Sequence, residues 1–248
     1  METISDHKLS MQLELWPFHL DLRGRYPLSQ LVSRMIHVAG EHATHFGYGI
    51  DHLMAHGASW VLSRMSIRFF HPIGVDPLTI TTGVTDWVGI STDRVITLEQ
   101  GGRLVASAFT KWIGIDIRKR MPLPIDTLLT DRSVRSSFPD LELPEIPRRL
   151  MDREMTAKLR SVYFHKVRYS DLDINRHVNS SVWISLAMDA LPIAHIIEEE
   201  LAEAHLRFVK EARLGDELLV KHYSEGPVDY VQIEHEEAVC FQLMIVRK

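Results

Sequence analysis

A single cysteine, Cys240, stands among 248 residues, which excludes an internal disulfide and any zinc site built from cysteines alone. It sits in the apolar run Ala238-Val239-Cys240-Phe241 and reads as a buried strand residue rather than a reactive thiol. Long apolar runs are also missing, since no stretch approaches the roughly 18 apolar residues of a membrane-spanning helix. The opening METISDHKLSMQLELW has no basic start followed by an apolar run, and it lacks the Arg- and Ser-rich, acid-poor look of a transit peptide. The expectation is a cytoplasmic protein with no membrane partner. There is no basic excess either: a formal net charge of -5 argues against a nucleic-acid binder, which usually presents a basic face. The zincin order His-Glu-x-x-His is absent, although Glu41, His42 and His45 lie close together among fourteen histidines, so no metal is expected.

What is present is a composition, 45% hydrophobic and 25% charged, that can bury one large core or two of ordinary domain size. From Pro122 to about Lys158 the chain carries Pro122, Pro124, Pro139, Pro144 and Pro147 among many charges, with no sustained period, and reads as a linker. The expected organisation is a first module over residues 1–125, a linker over 126–160 and a second module over 161–248.

Each module reads as a helix followed by strands. In the first, Leu31, Val32, Met35, Ile36, Ala39 and Ala43 recur at the spacing of one helical face, over Ser29 to His45, with Gly47 and Gly49 beyond it. Strand-like runs follow at Trp60 to Phe70, Leu78 to Trp87, Asp93 to Glu99 and Leu104 to Ile117, with Gln100-Gly101-Gly102 as a tight hairpin turn. In the second, Ser161 to Tyr169 reads as a strand and Asn179 to Ala190 as a helix closed by Pro192. Strands are expected at His205 to Lys210, Glu217 to Tyr223, and Tyr230 to Val246 with a break near Glu236-Glu237. The repeated order points to a duplicated α+β unit, whose helix can bury its apolar face if the sheet wraps around it.

The most informative stretch runs from Val167 to Ser180, through Asp171, Asp173, Asn175, His177 and Asn179. It packs two carboxylates, an imidazole and two amides into a short polar loop before a helix, and each buried polar group there needs a partner. The helix start offers backbone amides, at Val178, Asn179 and Ser180, that can hold a developing oxyanion. Asp173 is placed to activate water or attack an acyl carbon, with Asn175 and His177 orienting the reactants. The competing reading is that Asp173, Asn175 and Asn179 only build turns and a helix cap.

The run Tyr169-Ser170-Asp171-Leu172-Asp173-Ile174-Asn175-Arg176-His177-Val178-Asn179 resembles the signature of the acyl-[acyl carrier protein] thioesterases, the plant enzymes and their bacterial relatives. The resemblance continues through Ala39-Gly40-Glu41-His42-Ala43, Trp60-Val61-Leu62-Ser63-Arg64-Met65, and the strand from Ser107 to Ile113. It implies two tandem hotdog modules, each an antiparallel sheet wrapped around a central helix, the first shaping an acyl pocket and the second supplying catalysis. The implied substrate is a fatty acyl thioester of acyl carrier protein, with no cofactor, in a monomer or homodimer. The family's catalytic Asp, Asn and His fall on Asp173, Asn175 and His177, and its catalytic Glu falls on Glu211. Taken alone, Glu211 is an ordinary charge entering a turn. Where the plant enzymes follow that Glu with a cysteine, this chain has Ala212, which removes a thiol nucleophile at that position.

The apolar helix face, Leu31, Met35, Ile36, Ala39 and Ala43, is expected either to line the acyl tunnel or to be plain core. The basic groups Arg118-Lys119-Arg120 and Arg148, Arg149, Arg153, Lys158 and Arg160 are candidates for an acidic carrier, or simply solvated charge. Two other functions fit the same residues: an acyl-coenzyme A thioesterase, or a non-catalytic sensor of acyl thioesters.

Overall fold

The computed structural model describes residues 2–129, 133–139, 141–147, 149–151 and 156–248. The chain forms two compact units, one of Met1–Tyr26 with Arg34–Ile146 and one of Pro27–Ser33 with Pro147–Lys248. No described helix is long and apolar enough to cross a membrane.

In the first unit, strands β1 (Glu2–Ser5), β2 (Lys8–Leu13), β3 (Ala58–Phe69), β4 (Leu78–Val88), β5 (Ser91–Gln100) and β6 (Arg103–Asp116) join in the antiparallel order β1-β2-β4-β5-β6-β3. A short strand β7 (Met121–Pro122) adds to β6. The β5–β6 turn is the expected one: Gln100 pairs with Arg103 around Gly101 and Gly102, both at positive φ, as a two-residue hairpin turn requires. The β1–β2 hairpin was not expected. Its turn, Asp6-His7, also takes positive φ but offers no glycine to announce it.

Helix α1 (Leu28–His45) buries Met35 and then Val38, Ala39, His42 and Ala43, three, four, seven and eight residues on, because that spacing returns to one side of a helix. Helix α2 (Ile50–Ala55) follows through Gly49, where a Cβ would sit 2.7 Å from the Thr44 Cα, so only glycine fits the reversal. Ala43, Tyr48, Leu53, Val84 and Trp87 form one cluster with Ile125, Leu128, Leu129 and Val134, and α3 (Ile125–Leu128) brings in the first of these later residues. The stretch read as linker therefore begins as core: its prolines hide apolar residues that pack against Trp87, whose indole donates to the Val134 carbonyl at 3.1 Å.

In the second unit, β8 (Lys158–Lys166), β9 (Leu201–Phe208), β10 (Glu217–Glu225), β11 (Val228–His235) and β12 (Ala238–Arg247) are antiparallel in the order β9-β12-β11-β10-β8. Glu236 and Glu237, both at positive φ, make the turn where a break was read. Helix α4 (Ser180–Asp189) buries Trp183, Ile184, Leu186 and Ala187, and the Trp183 ring stacks on Phe241 with centroids 6.2 Å apart. A short α5 (Ile193–Glu198) precedes β9. Asp229 has no solvent exposure in its side chain, and it is matched by His222 at 2.8 Å, His195 at 3.0 Å and Arg247 at 2.8 Å. Burial pushes this carboxyl upward, but the His222 hydrogen bond and the Arg247 charge outweigh it and hold the carboxyl below the usual range.

Candidate active site

The loop before α4 is folded by its own side chains. A single 3-10 turn over Tyr169–Asp171 enters it, and an isolated antiparallel bridge from Leu172 to Val178 closes it. Between them the Asp173 amide donates to the His177 carbonyl at 2.8 Å, and Arg176 turns the chain at φ +62°. The Asp173 Oδ1 accepts the amides of Asn175 at 2.8 Å and His177 at 3.1 Å. That is the turn-building role weighed for Asp173 from sequence, and it occupies one carboxylate oxygen. Asn179 caps α4, its Oδ1 accepting from the Ser181 amide at 3.0 Å and the Ser181 hydroxyl at 2.9 Å. The Asn175 side chain is exposed, beside Ile174 at 96%.

Glu211 reaches this loop from the segment after β9. The Val178 amide donates to the Ala212 carbonyl at 2.9 Å, which ties the residue next to Glu211 to the residue next to His177. The result is a His177 Nδ1 to Glu211 Oε2 distance of 3.1 Å, with side chains 21% and 28% exposed. Nδ1 is the ring nitrogen that faces the carboxylate, so a proton held on Nδ1 leaves Nε2 as the acceptor nitrogen of the ring. Arg213 Nη2 holds the other carboxylate oxygen of Glu211 at 3.1 Å. Beside the loop, Asp171 is bonded by His165 at 2.8 Å and by the Arg168 amide at 2.7 Å. Burial pushes its carboxyl upward, and these two bonds more than offset that and hold it below the usual range.

Two of the three amides expected to face an oxyanion are engaged elsewhere. Val178 donates to Ala212 and Asn179 donates to Asp171 at 2.8 Å, because the loop needs both to hold its shape. Ser180, the first residue of α4, carries the amide that neither loop carbonyl takes.

A second feature lies wholly in the first unit. A pocket of about 280 Å³ is lined on the α1 side by Ile36, Ala39, Gly40 and Ala43, and on the sheet side by Trp60, Thr92, Arg94 and Trp112, with Tyr48 between. Of the apolar face proposed for an acyl tunnel, Ile36, Ala39 and Ala43 line this pocket. Leu31 and Met35, 1% and 0% exposed, do not line it and belong to the core. Arg94 escaped the sequence reading. Its signal was its parity with Ile96 and Leu98, both wholly buried, which places a charge on the inner face of β5. Of the basic candidates, Arg118, Lys119, Arg120, Arg149, Lys158 and Arg160 are exposed, while Arg148 and Arg153 lie outside the described residues. Among the described residues no group of three or more His, Cys, Asp or Glu is placed to hold a metal.

An antiparallel sheet with a main helix, present twice, is the arrangement of the double-hotdog structures of acyl-ACP thioesterases. The chain belongs to the acyl-ACP thioesterase family: the family's N-terminal domain matches residues 7–131 and its C-terminal domain matches residues 155–247. This is a family of hydrolases acting on thioesters. Among solved structures, an acyl-ACP thioesterase from Bacteroides thetaiotaomicron is similar at 24% identity and a TM-score of 0.82, over 99% of this chain and 100% of that one. A 12:0-ACP thioesterase from Umbellularia californica is similar at 11% identity and a TM-score of 0.81, over 99% of each chain. No curated protein matches by sequence.

Proposed function

We propose that the protein hydrolyses fatty acyl thioesters of acyl carrier protein in the cytoplasm, releasing free fatty acid and holo carrier protein in fatty acid biosynthesis. The observation that carries this reading is the 3.1 Å pair of His177 and Glu211 beside Asp173 and the start of α4. Glu211 fixes the imidazole so that Nε2 is the proton acceptor. Water attacks the thioester carbon as its proton passes to Nε2, and the carbonyl oxygen becomes an oxyanion at the Ser180 amide, where the helix terminus favours negative charge. The tetrahedral intermediate then expels the thiolate, which takes the proton back from His177. Asp173, braced at Oδ1, keeps Oδ2 for the reaction as a second base, or as a nucleophile through a mixed anhydride. Asn175 orients the reacting groups. The first-unit pocket takes the acyl chain.

The acidic carrier is matched by the exposed Arg118, Lys119 and Arg120 at the end of β6. The test is hydrolysis of a ladder of acyl chains presented on acyl carrier protein and on coenzyme A. Carrier-preferring turnover supports the reading. Equal or better turnover of the coenzyme A esters replaces the leaving thiol, and binding without turnover makes the protein a sensor. A single turnover in isotope-labelled water separates the two roles of Asp173, because only the anhydride route puts label into its carboxylate.

A further inference from the structure

Arg94 is 3% exposed, and no carboxylate of the described residues forms an ion pair with it. The acids on β4 and β5 near it in register are engaged elsewhere: Asp93 pairs with Lys111, and Asp86 pairs with Arg135 at 3.2 Å. An arginine stays charged in a protein and has five N–H donors to satisfy. Here Nη1 donates to the Thr82 hydroxyl at 3.2 Å, and the guanidinium lies within hydrogen-bonding reach of the Tyr48 oxygen. The remaining donors have no counter-charge.

The other polar groups on the inner wall are engaged. The Trp60 indole donates to the Tyr48 carbonyl at 2.9 Å, the Trp112 indole to Thr110 at 3.0 Å, and the Thr92 hydroxyl to the Asp86 carbonyl at 3.2 Å. The Tyr48 hydroxyl donates to His42 Nδ1 at 2.9 Å, since His42 Nε2 is turned to the His7 carbonyl at 2.8 Å. Burial and the Arg94 charge push His42 down to about 3, and burial pushes Tyr48 up to about 12, so the relay is neutral and adds no charge of its own. The pocket mouth is exposed at His37, Gly40, Glu41 and Ile50, while Ala39, Ala43, Tyr48, Thr92 and Arg94 are buried. An apolar channel thus leads from solvent to a buried cation that no carboxylate of the described residues neutralises.

We propose that this pocket binds a free fatty acid head first, its carboxylate on Arg94 and its alkyl chain against Ile36, Ala39, Trp60 and Trp112. A carboxylate supplies the counter-charge and accepts two parallel N–H bonds from a guanidinium, which a methyl terminus or an alcohol does not. A free acid is the product of the reaction proposed above, and its occupancy of the pocket excludes an acyl chain from the same space. Binding is read without turnover, so this inference stands or falls separately from the hydrolysis reading.

The test is calorimetric titration of the full chain with octanoate and with 1-octanol. Octanoate is expected to bind saturably at one site, at least about tenfold tighter than 1-octanol. Arg94→Met is expected to remove that preference. Gly40→Leu, which adds bulk on the pocket wall where a Cβ meets nothing within 4 Å, is expected to weaken both ligands and leaves Arg94 untouched should the first variant not fold. No saturable octanoate binding, equal affinity for 1-octanol, or octanoate affinity unchanged in Gly40→Leu or in a folded Arg94→Met overturns the proposal.

Discussion

Replacing Glu211 by Gln removes one negative charge while keeping the side chain's length and an oxygen able to accept from His177. Two consequences differ in size. The ion pair lies at 3.1 Å, but its side chains are 21% and 28% exposed, so solvent screens it. Its loss should cost roughly 0–1 kcal/mol of stability, which at this chain length lowers Tm by about 2–4 °C at most. The rate depends on more. The amide also offers an N–H₂ donor, so the imidazole can turn over its tautomer and place its proton on Nε2, where it no longer accepts from water. General-base help is worth about 10²–10⁴ in rate, so kcat should fall by at least about 100-fold, roughly 3 kcal/mol of barrier. Thermal melting and kcat on an acyl carrier protein thioester separate the two. A variant within about threefold of wild-type kcat, with an unchanged melt, would refute the reasoning that Glu211 sets the protonation of His177.

Other expectations follow from the same contacts. Asp173→Ala should lose at least about 100-fold in kcat, whereas Asp173→Asn, which keeps an oxygen for the amides of Asn175 and His177, should keep the melting temperature and still lose the rate; an active Asn variant would reduce Asp173 to a brace. Gly49→Ala should destabilise by about 1–3 kcal/mol in a thermal melt, because its Cβ would lie 2.7 Å from the Thr44 Cα. His42 is neutral in the folded chain down to about pH 3, while in the unfolded chain it binds a proton near its usual value of 6.5. Unfolding therefore takes up a proton in that window, and stability rises with pH there, by up to about 1.4 kcal/mol per pH unit. His42→Gln, which can still bond the His7 carbonyl and Tyr48, should flatten the fall of Tm between pH 6.5 and 4.5; an unchanged slope would assign the dependence to other groups.

The helix face of α1 and most strands were legible because burial imposes periods of 3.6 and 2 that the residues follow. The core role of Leu128, Leu129 and Val134 was not legible. They are scattered among prolines and charges, and their partners, among them Tyr48, Leu53, Val84 and Trp87, come from distant parts of the chain. The β1–β2 hairpin was missed for a related reason: β1 is exposed on every residue, so it shows no alternation, and its turn carries no glycine. At the site, the Asp-x-Asn-x-His spacing is local and stood out. The pairing of His177 with Glu211 is not local, since it is fixed by the Val178 to Ala212 hydrogen bond, which joins segments 34 residues apart. The engagement of the Val178 and Asn179 amides was equally hidden, because sequence marks a helix start without saying which of its donors the preceding loop consumes.

Ala39, Gly40 and Ala43 keep the α1 side of the pocket low, and at Gly40 an added Cβ meets nothing within 4 Å. A first carbon can therefore be gained there without disturbing a packed neighbour, and any further bulk grows into the pocket that the helix lines. In a diverging lineage such a position is a dial: what fits beneath it can change by single substitutions, while the loop from Tyr169 to Asn179 is left as it is.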